Sequence, residues 1–600
     1  MRIAIHPLRR EFRIALAVAV TAGVGALAFH FDLHAIAFAL WAIAAAGAVA
    51  FYLALWRPSR ISRDAVLTIK LAGALRECAP RSLLGQLRGR GGATLFDLRQ
   101  ALEYAQRDDR LKAVIVRIAG LQTGLASADE LHALLRALGR AGKRTIAVLE
   151  GDSADLREYL VACGASEIVA NPNTLMTMLG VAAGSVFLRG ALERMKLEAQ
   201  TLQWKEYKGA AETFTRDRMS PELRESLEAI VADCKELLTG RIAEARGIAP
   251  DRAGELAGGG FLSARVAREA GLIDRAGYFE DLRAEFDPEH KDRVFVSLAR
   301  YLRRVAYERR SAGYPKLALI HGVGPVVAGE PPAGGDFLSG EAVAAHFHRA
   351  AADKSVRAIV FRVNSPGGSA LGSDLVWRAV GEARERGKPV VVSMGDVAGS
   401  GGYYVAMGAD RIVAGAATIT GSIGVVYARF NASKALAALG IGTEYVKSDA
   451  MGDAMSMSRA LNTEELAQLN DAVGELYANF TAKVAQGRHL DPAQTEAMAR
   501  GRVWSGVAAK RGGLVDEVGG LERAIQAARD CAGIKEGEGH HLALYPSPGV
   551  LSGLRMAASG TRVPWSVGLL AEIMGWPRRW APAMLCLLMR GGTHLICPFF

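Results

Sequence analysis

The chain has 600 residues, half of them hydrophobic and 22% charged, with a formal net charge of +11 at pH 7. That length exceeds what one hydrophobic core supports, so two or more domains are expected, and the composition describes a globular enzyme with membrane segments attached. No block of arginine and lysine with interleaved aromatics forms a nucleic-acid face, so nucleic acid is excluded as an expected partner and a membrane surface is the better meaning of the excess positive charge.

Residues 14–31 are an apolar run of 18 without Asp, Glu, Lys or Arg, and residues 35–56 are another of 22, separated by Asp32, Leu33 and His34. Each is long enough to cross a bilayer. A signal peptide has a shorter apolar region and a small-residue cleavage site, so residues 1–63 read as a retained anchor of two transmembrane helices. Arg9, Arg10 and Arg13 precede the pair and Arg57, Arg60 and Arg63 follow it, which assigns both flanks to the cytoplasm.

Beyond the anchor the chain repeats itself. Residues 111–118 (LKAVIVRI) match residues 356–363 (VRAIVFRV), 245 positions later. Gly151-Asp152 match Gly395-Asp396, residues 164–170 match 408–414, and Leu272-Ile273-Asp274 match Leu514-Val515-Asp516, by which point the offset has drifted to 242. A first unit over residues 64–300 and a second over 310–537 follow. Each alternates apolar strands with amphipathic helices, such as residues 127–141 and 372–386, so the predicted class is α/β with a parallel sheet and helical crossovers, present in tandem.

The six cysteines, Cys78, Cys163, Cys234, Cys531, Cys586 and Cys597, include no C-x-x-C pair and no histidine spacing suited to zinc, so they read as buried or free thiols. His346 and His348 form an H-x-H, but alternate residues on a helix face different ways. No metal or cofactor is expected.

The chemistry concentrates in the second unit. Residues 358–363 read as a strand followed by Asn364-Ser365-Pro366-Gly367-Gly368-Ser369. Val390, Val391 and Val392 begin another buried strand, and the small residues Ala398-Gly399-Ser400-Gly401-Gly402 lead from it into a short apolar segment. This puts Ser400 at a helix N-terminus, where free N–H groups favour a nearby anion. The glycine pair Gly367-Gly368 can turn a backbone N–H toward the same point, so two strand ends make one site. Thr420-Gly421-Ser422-Ile423-Gly424 follows. In the first unit Leu156 stands opposite Ser400, Met178 opposite Ser422, and Gly120-Leu121-Gln122-Thr123 opposite the SPGG loop, so that unit does not carry a second copy of the site. It has instead the segment Trp204-Lys205-Glu206-Tyr207-Lys208-Gly209-Ala210.

The ordered set SPGGS, AGSGGYY and TGSIG, continued by GRVWSG at 501–506 and GGLVD at 512–516, resembles the signal peptide peptidase A (protease IV) family in its long duplicated form. The likeness spans roughly residues 65–535. It implies tandem ClpP/crotonase-like ββα superhelix domains, which pattern alone does not distinguish from a doubly wound sheet. It implies a serine endopeptidase working by a Ser-Lys dyad: Ser400 as nucleophile, Lys208 as general base, Ser422 orienting the lysine, and Gly367, Gly368 and Gly401 at the oxyanion and substrate. It further implies hydrophobic peptide substrates such as cleaved signal peptides, membrane lipid as a partner, and a ring that a duplicated chain closes as a homotetramer. The family's place is the periplasmic side of the bacterial inner membrane, whereas two spanning N-terminal helices put the catalytic domain on the cytoplasmic side.

A serine hydroxyl is a weak nucleophile until a base removes its proton, and lysine serves only as the neutral amine, which desolvation favours. Two other lysines compete for the role. Lys205 lies three residues before Lys208, and Lys447 would form a dyad within one repeat, although Ser448, Asp449 and Asp453 make its surroundings more polar. Three other functions are weighed. An α/β-hydrolase would draw its histidine from His489, but the G-x-S-x-G elbow is not met, since Ala398 stands at its first position. A crotonase-like acyl-CoA enzyme would use the glycine loops as an oxyanion hole without a nucleophilic serine, and a noncatalytic membrane scaffold would use them for packing. Residues 538–600 lose the repeat pattern and read as an apolar tail.

Overall fold

The computed structural model describes residues 61–78, 93–289, 294–310, 314–331, 336–535 and 537–545, together with position 47. Both N-terminal apolar runs, and the tail beyond 545, lie outside the described residues. Among the described residues no helix is long and apolar enough to cross a membrane.

The sequence repeat is a repeat of topology. The first unit holds a six-stranded parallel sheet in the order Phe295–Ser297, Ala65–Ala74, Leu111–Gln122, Arg144–Leu149, Glu167–Ala170, Arg275–Ala276. The second unit repeats that order with His541–Tyr545, Lys316–Val323, Val356–Ser365, Val390–Gly399, Arg411–Ala414 and Glu517–Val518. The strand His541–Tyr545 lies past the expected boundary at residue 537, so the second sheet takes in the start of the tail. Its counterpart Phe295–Ser297 has three residues, too few to reveal the match in sequence. The helix Leu298–Arg310 likewise runs across the expected boundary at 300, with Tyr301 and Val305 buried in the first core.

Strands buried on both faces read as continuous β-branched runs because alternate side chains serve opposite layers. Val390 and Val392 join one core with Phe361 and Tyr403, while Val391 joins another with Leu521, Ala524 and Ile525 of the helix Leu521–Cys531. In the first unit Ile115 and Val148 meet Leu282 in the same way. A helix of 26 residues stands at the same place in each unit, Pro221–Arg246 and Thr463–Arg488. Ser220 and Asn462 cap their N-termini, and Gly247 and His489 end them in the left-handed conformation. Cys163, Cys234 and Cys531 are free thiols, and burial pushes the Cys163 thiol up to about 12.

Among the contacts between the units, a strand pairing and a buried ion cluster position the site. The strand Glu198–Trp204 of the first pairs antiparallel with Val425–Asn431 of the second, bringing Trp204 opposite Val425. Beneath the loop 364–368, Arg362 is fully buried and donates to Glu77 at 3.0 Å and Glu130 at 2.9 Å, both from the first unit. Asp396 completes the junction, accepting from the Ser127 amide at 2.9 Å and hydroxyl at 2.7 Å.

Candidate active site

Ser400 ends the strand Val390–Gly399 and begins the short helix Gly401–Tyr404, as the run of small residues suggested. Its φ of 52° and ψ of −118° are a conformation that a residue with a side chain seldom adopts, and its amide donates to the Gly421 carbonyl at 2.8 Å. The turn thereby presents the hydroxyl at the strand tip. Gly367, at φ 99°, packs against it: a Cβ there would stand 2.8 Å from the Ser400 Cβ and 2.7 Å from the Gly401 nitrogen. A Cβ on Gly401 would in turn stand 3.1 Å from the Gly368 nitrogen, so the amides of Gly368 and Gly401 lie beside the serine. The loop is held there by the Val326 amide on the Gly367 carbonyl at 2.8 Å and the Ser369 amide on the Val326 carbonyl at 2.9 Å.

Lys208 arrives from the other unit. The strand Glu198–Trp204 carries the chain to it, and the Tyr207 amide donates to the Arg500 carbonyl at 3.1 Å. The Lys208 side chain is 1% exposed, and its amine donates to the Ser422 carbonyl at 2.7 Å and to the Ser422 hydroxyl at 2.8 Å. Ser422 itself has a φ of 51° and is tied by its amide to the Arg502 carbonyl at 2.7 Å. Lys208, Ser400, Gly368 and Gly401 all line one cavity of about 370 Å³. The competing residues stand elsewhere. Lys205 pairs with Glu496 at 3.0 Å and is 40% exposed; Lys447 pairs with Asp453 at 2.9 Å in an exposed segment. His489 is the left-handed cap of a helix and is not among the residues lining the cavity. Among the described residues no cluster of three or more His, Cys, Asp or Glu is placed to hold a metal ion.

The first unit's equivalent turn is closed. Leu156 and Met178 are buried where the second unit has its serines. Glu158 points its carboxylate into the corresponding loop, accepting from the Leu121 amide at 2.8 Å and the Asp155 amide at 3.1 Å. Burial raises its pKa although these amides pull it down. A fixed carboxylate thus stands against the backbone donors of the disused turn.

Some site residues had no role in the sequence reading. Gly501, at φ 84°, abuts Lys208 so closely that a Cβ there would lie 2.5 Å from the lysine's Cβ and its amide nitrogen. Asp374, Tyr404 and Lys483 form part of the cavity wall. A signal for two of them was present: at the repeat offset, Asp374 and Lys483 correspond to Asp129 and Arg241.

A parallel α/β unit present twice, with a serine on a strained strand-to-helix turn beside backbone amides, is the framework of a serine hydrolase. Residues 137–292 and 382–535 match the sequence model of peptidase family S49, and the chain belongs to that family. It is 30% identical over 490 residues to the chloroplastic serine protease SPPA of Arabidopsis thaliana, covering 79% of this chain and 70% of that protein. It is 29% identical over 457 residues to Protease 4 of Salmonella typhi, covering 74% and 73%. A putative signal peptide peptidase SppA of Enterococcus faecium is 34% identical over 177 residues, 30% of this chain and 52% of that protein. The protein is a serine peptidase, which sets aside the acyl-CoA and scaffold readings.

Proposed function

We propose that the protein is a membrane-bound serine endopeptidase that cuts hydrophobic peptides, cleaved signal peptides among them, with Ser400 as nucleophile and Lys208 as general base. The observation that carries this reading is that a buried lysine of one repeat and a strained serine of the other line a single cavity. Withdrawal from water disfavours a charged amine. A neutral amine has two N–H bonds, which the two Ser422 oxygens take, and a lone pair to receive the Ser400 proton. The serine oxygen then attacks the peptide carbonyl, and the resulting oxyanion faces the Gly368 and Gly401 amides, with Gly367 holding the approach open. The lysine returns the proton to the leaving amine, and water releases the acyl group by the same steps.

Leu371, Val425, Val426, Leu476 and Phe480 give the cavity an apolar side, which favours hydrophobic peptides. The name of the Enterococcus relative, a putative signal peptide peptidase, agrees with signal peptides as a source. Residues 14–31 and 35–56 supply the anchor in a bacterial inner membrane on this reading. Each unit adds a small three-stranded arrangement to its main sheet, Ser153–Asp155, Leu175–Met178 and Gly260–Ser263 in the first, which is consistent with ClpP/crotonase-like ββα superhelix domains. Exposed Leu439, Ile441, Tyr445, Val446 and Met451 make an apolar surface suited to a neighbouring subunit, in support of a homotetramer.

In detergent, a fluorophosphonate is expected to label the protein at Ser400 and unstructured hydrophobic peptides to be cleaved; folded protein that leaves them intact overturns the reading. Mass measurement of the solubilised protein is expected to give four chains, and a fully active monomer counts against the ring. Gly501→Ala tests the lysine's seat. Its Cβ collides with the Lys208 backbone, and a displacement of about 1 Å costs roughly a hundredfold in rate, so kcat should fall by about that factor. Unchanged kcat in Gly501→Ala would remove Lys208 from the chemistry.

A further inference from the structure

Next to its apolar residues the cavity wall carries an ion pair that faces the substrate space. Asp374 comes from the helix Ala370–Glu385, Lys483 from the long helix Thr463–Arg488, and Tyr404 from the short helix behind Ser400. The Tyr404 hydroxyl donates to Asp374 at 2.7 Å, and the Lys483 amine donates both to Asp374 and, at 2.9 Å, to the Tyr404 oxygen. The amine also lies 4.0 Å from the centre of the Trp377 ring. Burial and the bond to Asp374 raise the Tyr404 pKa, so its hydroxyl keeps its proton.

The first unit shows what this pair does without a substrate. Asp129 and Arg241, at the equivalent positions, bond at 2.7 and 3.2 Å and tie the same two helices together. There the neighbouring turn is packed with Leu156 and Met178. In the second unit the tie is kept, but the guanidinium fork is replaced by a single ammonium and the pair lines the cavity beside the nucleophile.

We infer that Asp374 and Lys483 are the specificity-determining residues of the pocket, neutralising one another so that it takes an uncharged side chain on the residue whose carbonyl Ser400 attacks. The inference rests on the proposed role of Ser400. A charged substrate side chain entering the cavity loses water and finds each wall charge already satisfied by its opposite, so it is rejected whichever its sign. An uncharged side chain meets Phe480 and Leu476 and, one turn further along the same helix, a polar patch with no net charge. Removing the lysine leaves the Asp374 carboxylate facing the cavity, where it attracts lysine or arginine; removing the aspartate leaves the ammonium, which attracts glutamate or aspartate.

The test uses the full-length protein in detergent and peptides that differ only at the residue before the cut bond: leucine, glutamine, arginine and glutamate. Lys483→Met is expected to raise the arginine-to-leucine ratio of kcat/KM by about tenfold or more, through KM, with the gain shrinking as salt is added. Asp374→Asn is expected to raise the glutamate-to-leucine ratio in the same way. The double variant, again neutral, is expected to return both ratios to the parent values, which loss of a helix tie alone would not do. Fluorophosphonate labelling of Ser400 in each variant separates the two hypotheses. Labelled variants whose ratios stay within about twofold of the parent overturn the inference about the pocket, whereas a parent that neither labels nor cleaves overturns the proposed function beneath it. If Lys483→Met fails to fold, Lys483→Gln takes its place with the same expected direction.

Discussion

Lys208→Ala and Ser400→Ala are each expected to lower kcat by about 10⁴-fold or more, with little further loss when the two are combined, because members of a unit that transfers one proton act together and not additively. Lys447→Ala and Lys205→Ala are expected to keep most of the activity. The argument is positional. Lys447 is engaged with Asp453 and the Ala450 carbonyl in an exposed segment, and Lys205 is engaged with Glu496, so both amines are held by a carboxylate and neither lines the cavity. Lys208 is directed instead at two neutral oxygens of Ser422 inside the cavity wall. Since the neutral amine is the working form, kcat/KM should rise with pH as that amine loses its proton, and Lys208→Ala should abolish this limb of the profile. All four variants are compared in one assay, with circular dichroism and size-exclusion as controls for the fold. A dead Lys447→Ala beside an active Lys208→Ala would put the base in the same repeat as the nucleophile and end the split-dyad reading. Ser422→Ala is expected to fall between, since the Ser422 carbonyl still holds the amine after the hydroxyl is gone.

The duplication was legible because it is written twice: LKAVIVRI and VRAIVFRV announce the same buried strand, and six strands in each unit fall in the same order. The turn at Ser400 was legible because only small residues tolerate its crowding. What the sequence hid is what joins the units. A repeat comparison aligns Arg117 with Arg362, yet the first lies 26% exposed beside Glu150 and the second is buried against carboxylates of the other repeat. Similarity between copies carries no information about where they have diverged to fit one another. The strand Glu198–Trp204 was hidden for the same reason: its partner Val425–Asn431 lies in the other repeat, more than two hundred residues away. The contacts that seat Lys208, including the close approach of Gly501, exist only once that pairing has formed.

Arg362→Met is expected to destabilise the junction between the repeats by about 3–5 kcal/mol, the cost of leaving buried charge without its partner. Arg362 holds Glu77 and Glu130 of the first repeat while donating to the Ser393 hydroxyl at 2.9 Å, so its loss strands two carboxylates at once. Burial already raises the Glu130 pKa against the pull of Arg362, and burial likewise raises that of Asp396. Without the guanidinium the folded-state pKa of Glu130 must climb further. A carboxyl whose folded pKa exceeds its unfolded value contributes stability below the unfolded pKa and loses it as pH rises through the folded one. The defect in Arg362→Met should therefore be mildest in acid and grow toward neutral pH, as read from denaturation midpoints at several pH values. Replacing Glu77 and Glu130 by glutamine in the same chain should recover part of the loss, because neutral amides carry no stranded charge. The damage also reaches the site. Asn364, two residues on, accepts from the Val397 amide at 3.2 Å and donates to Glu77 at 3.3 Å, which places the glycine loop and the Ser400 strand on the same junction. A stable Arg362→Met with unchanged midpoints at every pH would show that the repeats are held by their paired strands and apolar cores, with the ion cluster contributing nothing to the join.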